Sequence, residues 1–206
     1  MALRNRVNPF GDIIAVAGRG TLMGNRGILH TPERDIVRDW QVRRWIACRL
    51  QFRDRHREVM TAGSYTELFF LDEAAALADG HRPCAECRHA DYVAFQAAWR
   101  RVYPNQSPLA EALDATLHSE RRAGQWRKRM HVADIATLPD GSYIAMDDAA
   151  WLVYVDGLYR WSPDRYVERR RRPPSVPVTL LTPPSIVAVF NAGYRCAVHP
   201  SVHRRL

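Results

Sequence analysis

Residues 69–88 read Phe69-Phe70-Leu71-Asp72-Glu73-Ala74-Ala75-Ala76-Leu77-Ala78-Asp79-Gly80-His81-Arg82-Pro83-Cys84-Ala85-Glu86-Cys87-Arg88. Asp72 is a good N-cap, because its carboxylate can accept from the free N–H groups of a first helical turn. The alanine-rich run through Ala78 then predicts a short helix, and Gly80 stands where a helix ends in the left-handed conformation. Cys84 and Cys87 follow, two residues apart after a turn and just before a second helix. That is how a knuckle delivers two thiolates to one face of a tetrahedral ion. A structural site needs four ligands, and Cys48 upstream is the natural third.

Outward from this stretch the chain reads as α+β. After the knuckle, Tyr92, Phe95, Trp99 and Val102 recur at three- and four-residue steps, so residues 90–102 form an amphipathic helix stopped before Pro104. A third helix starts at Ser107-Pro108, with Leu109, Leu113 and Leu117 on its buried face, and ends near Gly124. Upstream, residues 41–60 alternate through Trp45, Ala47, Arg49 and Gln51, with Ile46, Cys48, Leu50 and Phe52 on the other face. This is a strand pattern that points Cys48 inward. The glycine-punctuated segment 18–27 reads as a loop. Past residue 139 the pattern becomes a small antiparallel sheet, with a turn at Pro139-Asp140-Gly141, a hairpin at Asp156-Gly157 and a strand over Val176–Leu181. Pro183-Pro184-Ser185 opens a last helix that closes at Gly193. We expect a zinc-binding, nucleic-acid-binding subregion over residues 1–105 and a helix-plus-sheet subregion over 106–206, packed as one compact domain.

The 206 residues are 47% hydrophobic and 25% charged, which excludes a disordered chain. No apolar run is long enough for a membrane span and no leader precedes a cleavage site, so the expected compartment is the cytoplasm. There the four cysteines stay reduced, and a close pair reads as a metal site rather than a disulfide. The net charge is +8, and of the 30 basic residues Lys128 is the single lysine. Such a surface suits a polyanion.

The quoted stretch resembles the N-terminal zinc-binding domain of the Ada family of methylated-DNA repair and response proteins, and Ile46-Ala47-Cys48-Arg49 looks like that family's first cysteine with the arginine after it. The likeness covers residues 45–90, under a quarter of the chain. It implies a Zn²⁺ site and contact with DNA. The family's second cysteine falls four residues after its first, where this chain has Phe52. His56 is the nearest ligand type, which would make the set Cys48, His56, Cys84 and Cys87; His30, His81, His89, Cys196 and His199 are the other candidates. In the family the first cysteine also takes a methyl group from a DNA phosphotriester. With the coordination sphere altered at Phe52, we expect Cys48 to be a structural ligand and DNA contact to be the property carried over.

The nucleic-acid candidates are Arg19, Asn25 and Arg26 in the glycine-rich segment, Arg49, Arg53, Arg55 and Arg57 beside the first cysteine, Arg82 and Arg88 flanking the knuckle, and Arg127 and Arg129 after the third helix. Arg169 to Arg172 form a further basic cluster, expected in a loop; guanidinium groups give bidentate phosphate contacts, and Trp126 and Trp161 stand near two of the clusters as base-stacking partners. His118, Glu120, Lys128 and His131 form a loose acid–base group, although His118 and Glu120 diverge on a helix. The leading expectation is a DNA-binding repair or defence factor. The alternatives are a base-excising glycosylase or nuclease with zinc as scaffold, and a zinc-stabilised protein-interaction module.

Overall fold

A computed structural model describes residues 2–53 and 58–204. The described residues form two six-stranded sheets and four α-helices, an α+β architecture. The first sheet takes β1 (Arg4–Val7), β2 (Ile13–Ala15), β3 (Leu22–Asn25), β4 (Ile46–Arg49), β5 (Leu68–Phe70) and β6 (Arg82–Pro83), in the order β2-β1-β5-β3-β4-β6. Between β5 and β6 lies α1 (Glu73–Ala78), and after β6 come α2 (His89–Val102) and α3 (Ala110–Arg121). The second sheet takes β7 (His131–Asp134), β8 (Tyr143–Met146), β9 (Ala149–Tyr154), β10 (Gly157–Trp161), β11 (Tyr166–Arg171) and β12 (Pro177–Leu180). It is antiparallel throughout, and α4 (Pro184–Asn191) follows it. No helix among the described residues is long and apolar enough to cross a membrane.

The small helix α1 is buried on every side. Leu71, Ala74, Ala75 and Ala78 pack with Tyr143, Leu152, Tyr159 and Tyr166 of the second sheet. Ala76 packs with Val7, Leu68 and Phe70 of the first sheet, and Leu77 with Phe95, Trp99, Leu117 and Ile186 of the other helices. Alanine is what lets three layers approach one helix this closely, since a larger side chain would have to displace backbone on some side. Asp72 caps the helix through Ala75 N–H as its sequence position predicts, and its other oxygen accepts from the Tyr166 hydroxyl and from His199 N–H. Glu73 accepts from Arg88, the Tyr194 hydroxyl and Ala197 N–H. Gly80 has φ +87°, and a Cβ there would fall 2.5 Å from Arg121 Cδ. The turn therefore requires glycine for its conformation and for the space.

Several local expectations shift. The segment 18–27 is not all loop, because Leu22–Asn25 pairs with both β4 and β5. Its glycines serve close packing: a Cβ at Gly24 would stand 2.3 Å from the Phe70 ring. Among the described residues the strand in 41–60 is confined to Ile46–Arg49, and its phase is opposite to expectation, with Trp45 and Ala47 in the core and Cys48 on the half-buried face. The third helix begins at Ala110, so Leu109 is 64% exposed, and Asp114 and Arg121 join Leu113 and Leu117 on the buried face. The predicted hairpin forms one residue early: Val155 and Asp156 make the turn, while Gly157 pairs with Tyr154 inside the ladder. The Asp140 carboxylate fixes this register by accepting from Val155 N–H.

Asp72→Ala would remove a helix cap and leave two further donors unpaired in the interior. Urea denaturation should show a loss of about 3 kcal/mol or more. A change under about 1 kcal/mol would mean that water replaces the carboxylate at little cost.

Candidate metal centre and nucleic-acid surface

Parallel pairing of β4 with β6 sets Ile46 beside Arg82 and Ala47 beside Pro83, so the next step in register sets Cys48 beside Cys84. The Cys84 N–H donates to Ala47 O (3.0 Å), which holds that step. The chain then turns back, with Arg88 N–H donating to Cys84 O (3.1 Å), and this returns Cys87 to the same point. The three sulfur atoms lie within 4.8 Å of one another, and among the described residues no fourth ligand atom joins them in that span. Arg49 N–H points at Cys87 Sγ (3.4 Å), a contact that favours a thiolate there.

Three thiols this close cannot keep independent protons. Hydrogen bonds from Cys48 and then Cys87 push Cys84 far below the usual thiol range, whereas the bond to Cys84 pushes Cys48 far above it. A cation placed between the sulfurs would relieve the competition by replacing the shared protons, so the cluster is a set of donors able to hold a metal ion. Cys48 and Leu50 face a groove of about 490 Å³ whose apolar wall includes Met23, Ile46, Phe52 and Phe69.

The other candidate ligands are occupied elsewhere. His30 bonds Thr66 Oγ1 (2.6 Å), His89 donates to Ala85 O, and His199 bonds the Ser201 hydroxyl. Cys196 is where a Cβ on Gly141 would collide (2.5 Å), well inside the C-terminal packing. His81 is fully buried between the Trp45 and Phe70 rings and lies 3.1 Å from Asp79 Oδ2. His56, together with Arg55 and Arg57, lies outside the described residues.

The expected nucleic-acid residues divide by burial. Arg19, Arg49, Arg53, Arg127 and Arg129 are exposed, Arg53 lying 3.8 Å from Glu86. Asn25 is half-buried on the wall of the cysteine groove, and its side-chain oxygen accepts from Gly27 N–H. Arg26, Arg82 and Arg88 are interior, which corrects the expectation of surface phosphate contacts. Arg26 pairs with Asp39 and Asp79, Arg82 grips both oxygens of Asp114 (2.9 and 2.8 Å), and Arg88 bridges Glu73 and Asp91. Arg121 is interior too, and it and Arg26 both lie over the Trp45 ring, at 4.0 and 4.3 Å. Burial lowers its pKa to about 9, since no carboxylate meets it directly and its donors end on Gly80 O and Arg43 O.

The four acid–base candidates do not converge. The His118 ring sits edge-on to Trp40 (4.6 Å), and burial lowers its pKa to about 4. Glu120 accepts from the backbone N–H and the hydroxyl of Ser185 at the start of α4. His131 donates from Nε2 to Glu120 O, and Lys128 donates to Pro9 O and Ala78 O. Each makes a contact that joins two segments of the fold. No family model, curated protein or solved structure was found to match this chain.

His81 gives a pH dependence. Burial lowers its pKa from 6.5 to about 4 despite the Asp79 carboxylate, with the Arg26 and Arg121 cations adding to the fall. Between those values the unfolded chain takes up a proton that the folded one refuses, so falling pH favours unfolding. The denaturation midpoint should decline from pH 6.5 to 4, with a shallower decline in His81→Gln. Parallel profiles for the two proteins would place the acid sensitivity elsewhere.

Proposed function

We propose that this chain is a zinc-stabilised DNA-binding protein of DNA repair or the damage response, with a cysteine module that resembles that of the Ada family and shares its contact with DNA. The observation that carries the reading is the convergence of Cys48, Cys84 and Cys87 on one point at the rim of a groove. Thiolate-rich sets of this spacing favour Zn²⁺, and a fourth ligand closes a tetrahedral structural site. His56 is the ligand proposed for that position, with Cys48 structural rather than a methyl acceptor.

Charge supports the polyanion half of the reading. Arg49 and Arg53 are exposed beside the cysteines, and the chain carries a net +8. In this reading zinc fixes the β4 and knuckle backbones, so that the arginines on them meet the phosphates at a set spacing. Strand cleavage has less support, because His118, Glu120, Lys128 and His131 are held apart in contacts that join the fold.

Purified protein should contain one zinc per chain, lost in Cys84→Ser and weakly held in His56→Ala. Binding to labelled double-stranded DNA should weaken about 100-fold from 50 to 200 mM salt if about four phosphates are contacted. It should be lost along with the metal. Zinc without salt-sensitive DNA binding would overturn the DNA reading and favour a protein-interaction module. Full metal occupancy in His56→Ala would remove His56 from the ligand set.

A further inference from the structure

A second cleft, of about 660 Å³, lies between the N-terminal strands and the loop that joins α3 to β7. It shares no lining residue with the cysteine groove, so it stands or falls separately from the reading above. Five cations line it, Arg4, Arg122, Arg127, Lys128 and Arg129, against two carboxylates, Asp12 and Asp39. Asp39 is already committed, since it pairs with both Arg26 and Arg122. Asp12 accepts from the Asn8 side chain. Arg4, Arg127 and Arg129 are exposed and form no ion pair among the described residues. Arg4 and Arg129 are steadied through Nε by backbone carbonyls, Ile13 O and Arg122 O, which leaves the terminal nitrogens of each guanidinium without a partner among the described residues.

The loop itself is a small hairpin. Arg122 and Lys128 form a β-bridge, and Ala123 N–H donates to Arg127 O (3.0 Å). At its tip Trp126 is 53% exposed and held at φ +59°, a left-handed conformation rare for a bulky residue. The base of the loop is anchored by Lys128, whose ammonium donates to Pro9 O and Ala78 O, and near the tip Gln125 donates to Trp40 O. A large exposed aromatic beside unpaired guanidiniums on an anchored hairpin is an arrangement suited to a ligand with a flat ring at one end and a phosphate at the other.

We propose that this cleft binds a nucleoside phosphate, with the base stacked on Trp126 and the phosphate held by Arg127, Arg129 and Arg4. The ligand is either a free nucleotide or the phosphorylated end of a single strand, which present the same chemistry. Arg122 and Lys128 position the hairpin rather than meet the phosphate, since their donors end on Asp39, Gly124 O, Pro9 O and Ala78 O.

The full chain is titrated with dAMP, deoxyadenosine and inorganic phosphate, following tryptophan fluorescence and binding heat. Deoxyadenosine 5′-monophosphate should quench saturably, and each half-ligand should bind about 10-fold more weakly or worse. Trp126→Asn, chosen because asparagine tolerates positive φ, should abolish the quench and weaken binding about 5- to 100-fold. Arg127→Ala should weaken dAMP and phosphate, but not deoxyadenosine. A 5′-phosphorylated oligothymidylate that binds more tightly than both dAMP and its unphosphorylated counterpart identifies a strand end, and tighter dAMP identifies a free nucleotide. Absence of saturable dAMP binding, or affinity unchanged in both variants, overturns the proposal.

Discussion

The arrangement of the molecule depends on two carboxylates at the start of one short helix. Asp72 and Glu73 are almost fully removed from solvent, an environment that is costly for a carboxylate unless its oxygens are well supplied with donors. One donor is local, Ala75 N–H of the helix, and others come from distant parts of the chain: the Tyr166 hydroxyl from the second sheet, and His199 and Ala197 N–H from the C-terminal segment. Arg88 adds the backbone just past the knuckle. Burial pushes the Asp72 pKa up while the Tyr166 hydroxyl and the two backbone donors pull it down. Two adjacent acids thus tie the second sheet, the backbone just past the CxxC turn and the tail to a helix of six residues.

The cysteine cluster inherits its geometry from this core. Sheet pairing places two strands with little freedom in register, because a slip of one residue would turn Trp45 and Ala47 out of the core. With that register fixed, the alignment of Cys48 with Cys84 is a consequence of where each residue falls in its strand. Arg82, one residue before the last β6 position, clamps Asp114 of α3 and fixes the same edge from the other side. Breaking such a buried pair by removing one partner typically costs about 3–5 kcal/mol. The register of these two strands therefore sets where Cys48 and Cys84 stand.

A basic composition gave poor guidance to the surface. Arginine is the cation best suited to a buried ion pair, since its planar fork meets both oxygens of a carboxylate and also stacks on aromatic faces. Arg26, Arg82 and Arg88 pair in that way with four aspartates and Glu73, while Arg26 and Arg121 stack on Trp45. Among the cations left outside, two groups stand next to a concavity, one beside the cysteines and one around Trp126.

What the chain determined by itself was local. The Asp72 cap, the Gly80 turn, the CxxC turn, the 89–102 helix and the Gly193 closure all follow from contacts within a few residues, where capping, left-handed φ and helical periodicity act. Cys48 was also legible as a partner of the knuckle, since ligand chemistry demands more than two thiolates. Only the tertiary structure decided the rest. Strands β1, β2 and β5 are too short to show a period, and the face of β4 that is buried depends on its neighbours rather than its own alternation. Whether an arginine is a clamp or a free charge depends on a carboxylate that lies from 3 to 83 positions away in sequence. The cleft around Trp126 is assembled from residues at the two ends of a long separation, Arg4 with Arg129, and no local pattern in either segment announces the other.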